Sequence, residues 1–376
     1  MAQDPDEDAQ SRGFGAGYAI VAAGFQLAFA VLLFLGAGIL LDRWLHAKPV
    51  FTVIGVLVGL GAGMYAFILR SFALIAYASA YLKCHYLAAF TAAILNNQPM
   101  GFYAPATLVK DAQRHGLHFK PIDVTRSDWK CTIEHHRGEK WVRLGLNYVK
   151  GLRQQAAQAI LDARAQAPFL SIQDLVNRAP ALRKDELRKL SEIGSLNFIT
   201  ADPTHRRAAL WDSELAIRPA GPLFASADDS TSDSPLAPMT SSERLNSDFR
   251  GTHLTIGKHP LAFHRDMLNA IGVTPARELK SIPNGRLARI AGCVICRQRP
   301  GTAKGLLFLS LEDETGVSNA VVMPDVFDRE RATILHNSYL VIDGEMQNID
   351  NVISIKASHF EPLHVAEEAV PSHDFH

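Results

Sequence analysis

The pentapeptide Lys150-Gly151-Leu152-Arg153-Gln154 is the stretch of this chain best suited to holding a phosphate. Its glycine lets the backbone come close to an anion. A helix that starts directly after it presents amides with no intrahelical acceptor, together with the positive end of the helix dipole. Lys150 and Arg153 set two cations beside those amides. Such contacts grip a nucleic-acid backbone and carry no base sequence. The helix is legible from Ala156, Ala159, Ile160 and Ala163, which recur on one face. With the apolar stretch around Leu144 ahead of the turn, this is the grammar of a helix-hairpin-helix. That motif usually has a second glycine where this chain has Arg153, so direct charge replaces part of the amide cradle. A plain helix–turn–helix with a glycine cap is the competing reading. Two features favour the phosphate site. Arg178, Arg183, Lys184, Arg188 and Lys189 crowd the next helical stretch, and a second, looser hairpin, LRKLSEIGSLNFI, ends around Ile193-Gly194. Arg183 and Lys184 therefore join the candidate contacts.

A second candidate surface lies in residues 286–363. Arg289–Arg297, Gly305–Glu312 and Val317–Val322 read as short strands separated by turns at Arg299-Pro300-Gly301-Thr302 and Asp313-Glu314-Thr315-Gly316. A helix over Pro324–His336 and two more strands follow. Five strands with a helix between the third and fourth is the OB-fold plan. Such barrels bind single strands through aromatic and basic side chains. The candidates are Arg289, Arg297, Arg299, Lys304 and Lys356, with Phe308 shared between surface and core. Cys293 and Cys296 are three apart on a strand and so point to opposite faces. Cys84 and Cys131 stand alone, so no metal site is expected. His115, His118, His135 and His136 read as surface residues. No catalytic residue is expected.

These surfaces must be carried by several domains. The chain has 376 residues, 38 basic and 38 acidic. Zero net charge argues against a globally basic wrapper of nucleic acid but leaves local basic faces possible. Four cysteines exclude a disulfide scaffold. The uncharged runs Gly17–Leu41 and Pro49–Leu69 flank a short polar loop with Asp42, Arg43 and Lys48. Each meets the length that crosses a bilayer core, and together they predict a transmembrane hairpin with both ends on one side. The start is acidic and the run long, unlike a signal peptide. Gly55, Gly59 and Gly63 form a small-residue stripe of the kind that lets membrane helices approach closely. The expected order is a disordered acidic start (1–16), the hairpin (17–70), a helical region (71–140) and a tandem helix-hairpin-helix module (141–218). A linker (219–245), a helical connection (246–285), the OB-fold (286–364) and a disordered tail (365–376) complete it. The fold class is multi-domain α+β.

Two families are echoed in specific words of the sequence. GFQLAFAVLLFLGAGILLDRWLHAKPVFTVIGVLVGLGAGMYAFIL, about residues 24–69, resembles the small two-helix membrane protein encoded beside bacterial F-type ATP synthases. The LLDRWL exit of the first helix, the proline in the loop and the glycine-striped second helix carry the likeness. It implies a lipid bilayer and an ATP synthase as partners, through assembly or cation movement. From about Ser71 to Leu363 the chain resembles the C-terminal third of bacterial family C DNA polymerase α-subunits. SFALIAYASAYLKCHYLAAFTAAILNNQPMGFYAPATLVKDAQRHG matches the end of the fingers, and KPIDVTRSDWKCTIE matches the following connection. NNQPMGFYAP points to the damage-inducible, error-prone branch. That branch performs translesion synthesis with accessory mutagenesis proteins, which implies single-stranded or primed DNA as the partner.

The resemblance also marks what this sequence lacks. The phosphoesterase-like domain and the palm, whose carboxylates hold two Mg²⁺ in the full-length family, have no counterpart here. No cofactor is expected for this chain. The leading expectation is a DNA-binding part of an error-prone polymerase fused to a membrane hairpin at Arg70-Ser71, without catalysis of its own. An ATP synthase-associated membrane protein with a passive soluble tail, and a polymerase completed in trans by another chain, are the alternatives. A genuine fusion places the chain in the inner membrane with cytoplasmic soluble domains; otherwise it is cytoplasmic.

Overall fold

The computed structural model describes residues 25, 28–46, 49–99, 104–200, 203–217, 234–349, 352–365 and 373–375. The expected disordered start, residues 1–16, and most of the linker lie outside them. Two compact units divide between Tyr86 and Leu87.

The first unit is a pair of helices: α1, residues 28–44, and α2, Val50–His85. Glycine fixes their closeness. A Cβ on Gly55 would stand 2.3 Å from the Phe34 carbonyl oxygen, and one on Gly38 would stand 2.4 Å from that of Phe51. Gly59 faces Val31 and Ala30 in the same seam. The partners run 38 with 51, 34 with 55 and 31 with 59, which is an antiparallel hairpin. Asp42 ties its closed end by accepting from Phe51 N at 3.1 Å, Thr52 N at 2.8 Å and Thr52 Oγ1 at 2.6 Å. These bonds satisfy orphan amides of the first turn of α2. Phe29, Leu32, Leu40, Leu57 and Tyr65 remain exposed. The pair hides glycine and shows large apolar side chains, the reverse of a water-soluble helix pair. Among the described residues α2 is one helix long and apolar enough to span a membrane. It passes through Arg70-Ser71 without a break.

The second unit opens with α3 (Leu87–Asn96) and α4 (Pro105–Arg114). A three-stranded sheet follows where the sequence reads as helical: β1 (His118–Lys120), β2 (Thr132–His136) and β3 (Glu139–Arg143), in the order β1-β3-β2. β2 and β3 are joined by Arg137-Gly138, both with positive φ, as a two-residue hairpin requires. Helices α5 (Gln154–Gln166), α6 (Ile172–Arg178), α7 (Lys184–Glu192) and α8 (Arg206–Ala216) pack around Leu146, Ile160, Leu175, Leu187, Leu190 and Leu196, all nearly inaccessible. α9 (Ser241–Thr252) starts inside the expected linker, capped by Thr240 and Glu243 in a capping box. α10 spans Arg265–Ala270.

The barrel uses β4 (Leu287–Gln298), β5 (Leu307–Glu312), β6 (Val317–Val322), α11 (Pro324–His336), β7 (Tyr339–Ile349) and β8 (Val352–Pro362). The order β5-β6-β8-β7-β4, closed by β4 on β5, is the OB-fold circuit. The β6–β8 pairing is parallel and the others in the circuit are antiparallel. Its interior holds Ile290, Val294, Leu309, Leu311, Val322, Ile342 and Ile355, with Phe327 of α11. The expected disordered tail instead contains β9 (His373–Phe375), paired in parallel with β4 at Cys296–Gln298.

α4 is tied to the barrel by buried charge. Arg114 Nη2 donates to Glu312 Oε1 at 2.8 Å, and Glu312 is 3% exposed. Lys110, also buried, donates to the carbonyl of Gly257 and to Gln113 Oε1. Burial pushes the Glu312 carboxyl up to about 7, against the pull of Arg114 and Lys110.

Candidate nucleic-acid interface

The turn before α5 is built as its glycine demands. Gly151 has φ +81°, in the left-handed region, and a Cβ there would meet nothing within 4 Å. The residue is exposed, so this turn is open to solvent. Lys150 N donates to the Gly251 carbonyl at 2.7 Å, which docks the turn on the end of α9 and leaves the Lys150 side chain outside. Leu152 is buried and anchors the turn in the core. Gln154 is exposed at the first position of α5. The second hairpin differs. Gly194 also has positive φ, but it is buried, and a Cβ there would stand 2.8 Å from Nε of Arg206. Arg206 is held in turn by Asp248 at 2.8 Å. One turn faces solvent and the other is roofed.

The Arg153 guanidinium is engaged within the protein. Its Nε and Nη2 each lie 2.9 Å from the two oxygens of Glu186, and Nη2 also reaches the Ala181 carbonyl. Glu186 further accepts Arg153 N at 2.9 Å and Arg183 N at 2.8 Å. One carboxylate, its side chain 1% exposed, therefore receives the N-terminal amides of both α5 and α7. Burial would raise its pKa, but the Arg153 guanidinium and those two amides hold it below the ordinary carboxylate value. The arrangement brings the starts of α5 and α7 together and sets Lys150, Arg183 and Lys184 on the exposed rim around them. Of the other cations on this stretch, Arg178 pairs with Asp174, Arg188 with Glu214 and Lys189 with Glu192.

The barrel sorts its candidates in the same way. Arg289 forms a bidentate cross-strand pair with Asp343 at 2.6 and 2.7 Å, its direct neighbour on β7. Arg297 is 5% exposed and donates to the carbonyls of Ile334 and Asn337, closing the end of α11. Arg297 is thus held inside the fold, while Arg289 is paired but its side chain remains about a third exposed at 31%. Arg299 lies 4.7 Å from the ring centre of Phe327. Lys304, in the β4–β5 loop, and Lys356, on β8, are exposed. The registers place Gln298, Phe308, Val321 and Lys356 in one row across β4, β5, β6 and β8. Phe308 is 36% exposed on that row, beside a Ser310–Asn319 hydrogen bond of 2.9 Å. An exposed aromatic ring on a strand that follows a loop carrying Lys304 is a surface on which an unpaired base can stack. Gln298, Ser310, Asn319 and Val321 were missed from the sequence; the period-2 alternation of β5 and β6 was the available signal.

Comparison with known proteins agrees with this division. A family described as "Helix-hairpin-helix motif" matches residues 116–209, and one described as "OB-fold nucleic acid binding domain" matches residues 285–363. A family described as "Putative F0F1-ATPase subunit Ca2+/Mg2+ transporter" matches residues 19–69. The error-prone DNA polymerase of Anaeromyxobacter dehalogenans is 40% identical over 81% of this chain, and that of Bordetella parapertussis is 43% identical over 78%. The chain spans 28% of the length of each of these relatives. Among solved structures, a chain of a replication protein A heterotrimer bound to single-stranded DNA is similar over 25% of this chain and 80% of its own, at 19% identity and a TM-score of 0.20. The resemblances to error-prone polymerases and to the ATP synthase-associated hairpin thus each have matching relatives or families.

Proposed function

We propose that this chain is a nucleic-acid-binding part of an error-prone DNA polymerase, held at the inner membrane by its α1–α2 hairpin. The carrying observation is the open turn at Gly151, with Lys150 and Lys184 exposed beside two helix N-termini and engaged in no ion pair among the described residues. Single-stranded or primed DNA is the partner, gripped by phosphate at the turn and by stacking on Phe308. The chain's similarity to error-prone DNA polymerases supports a mutagenic polymerase as its setting, and damage-induced translesion synthesis with accessory mutagenesis proteins is part of this proposal. The chain binds and does not polymerise: primer extension with Mg²⁺ and all four nucleotides should give no incorporation, and template-dependent product that copurifies with the chain would refute this. The exposed leucines and phenylalanines around the glycine seam support burial of the hairpin in lipid, with both soluble ends cytoplasmic.

The binding test is a salt series on the full chain in detergent with a labelled duplex. Each phosphate contact contributes close to one unit to the slope of log K against log salt, so Lys150→Ala with Lys184→Ala should flatten it by about two units. Arg153→Ala should leave the slope unchanged if the protein stays folded. Equal slopes for wild type and the lysine pair would reject the turn as the phosphate site.

The match over residues 19–69 favours one second reading. In it the hairpin acts at an ATP synthase and the soluble unit is passive, and wild-type protein then shows no salt-dependent DNA affinity.

A further inference from the structure

We propose that the outward face of the β1–β3–β2 sheet is a third nucleic-acid contact, specific for unpaired bases. This rests on the nucleic-acid reading above and adds a site to it. The sheet has two chemically different faces. Phe119 and Val142, paired in register, are buried in the core. His118, Lys120, Trp141 and His136 lie on the opposite face. Parallel pairing sets His118 beside Trp141, and their rings stack at 4.5 Å with an interplanar angle of 29°. His136 meets the same indole edge-on at 5.2 Å, and Lys120 Nζ lies 4.2 Å from its ring centre.

The stack ends in solvent. The His118 side chain is 56% exposed although one ring face rests on Trp141, so the other face is available to a further ring. The charge around it selects a polyanion. Arg137 at the hairpin tip is exposed, and Lys120 adds a second cation on this face; Lys140, next to Trp141 and opposite His135, lies on the other face. Glu134 is engaged by Arg143, which leaves Glu139, near His118, as the opposing charge on these strands. A two-residue turn keeps the tip rigid, so the rings are held before a ligand arrives. Rings stacked in series, flanked by cations, are what an unpaired base with its phosphate requires; a duplex shields its base faces and offers phosphate alone.

The test uses the full chain in detergent with fluorescein-labelled oligothymidylate and, separately, a blunt duplex of equal length. His118→Ala with His136→Ala alters two exposed side chains and should weaken oligothymidylate binding about five- to tenfold, the low end of the range for loss of base stacking, while duplex affinity stays unchanged. Oligothymidylate should also quench the tryptophan emission of the wild type, and Trp141→Phe should abolish that quenching. Unchanged oligothymidylate affinity in the histidine pair overturns the platform while duplex binding through Lys150 keeps the broader function. Equal losses on single strand and duplex also overturn it, since that is a general charge effect. A wild type that binds neither DNA rejects both proposals.

Discussion

Glu186→Ala should destabilise the soluble unit by about 2–4 kcal/mol, because it removes a charged acceptor from two helix-start amides and one guanidinium together. Urea unfolding of the full chain in detergent, followed by tryptophan fluorescence, reads this as a lowered midpoint. Glu186→Gln keeps the shape and loses the charge, so it should fall between wild type and alanine. The pH dependence follows from the lowered folded-state pKa. The contribution is fully present above the ordinary value of 4.5 and is lost as pH falls through the lower folded value. Wild type and Glu186→Gln should therefore differ most above that value and converge in acid. A Glu186→Ala protein as stable as wild type at neutral pH would mean that the two hairpins are held by packing alone.

Arg114→Ala should cost about 3–5 kcal/mol, the range for stranding one partner of a buried ion pair. Glu312 is 3% exposed, and the side chains near it are Thr107, Lys110 and Arg114. Its pKa is raised, so the sign is opposite to that of Glu186. The folded state holds a proton that the unfolded state has released, and stability declines as pH rises from 4.5 towards about 7. Glu312→Gln should flatten that decline. Arg114→Ala removes a cation that pulls the pKa down and should carry the decline to higher pH. His259 nearby is pushed down to about 3 by burial and by Lys110, Arg114 and Arg265, so it stays neutral across this window. A Glu312→Gln protein whose stability falls with pH as steeply as the wild type's would mean that Glu312 is not the group behind the decline.

The parts legible in the sequence are those fixed by neighbours along the chain. β6 and α11 have the expected bounds because Asp313 to Gly316 make a turn and Pro324 starts a helix. Gly151 announced its turn because few other residues accept positive φ there. What was not legible depends on partners far away. Arg153 and Glu186 are 33 residues apart, and Arg289 and Asp343 are 54 apart. Nothing local distinguishes such arginines from Lys150, which stays exposed. β1 was missed for a related reason: it has three residues, and its partner β3 begins at Glu139. A strand that short has no period to read, and only the parallel pairing makes it one.

The unbroken passage of α2 through Arg70-Ser71 makes that junction phase-locked. Within one helix, each residue added or removed turns everything beyond it by about 100° and shifts it by about 1.5 Å. The glycine seam at Gly55 and Gly59 therefore sets the compass direction of Phe72, Tyr77 and Tyr81, on the same 36-residue helix. Joining two such segments in one helix leaves no slack, so the junction tolerates insertions of about seven residues, two near-complete turns, far better than insertions of two.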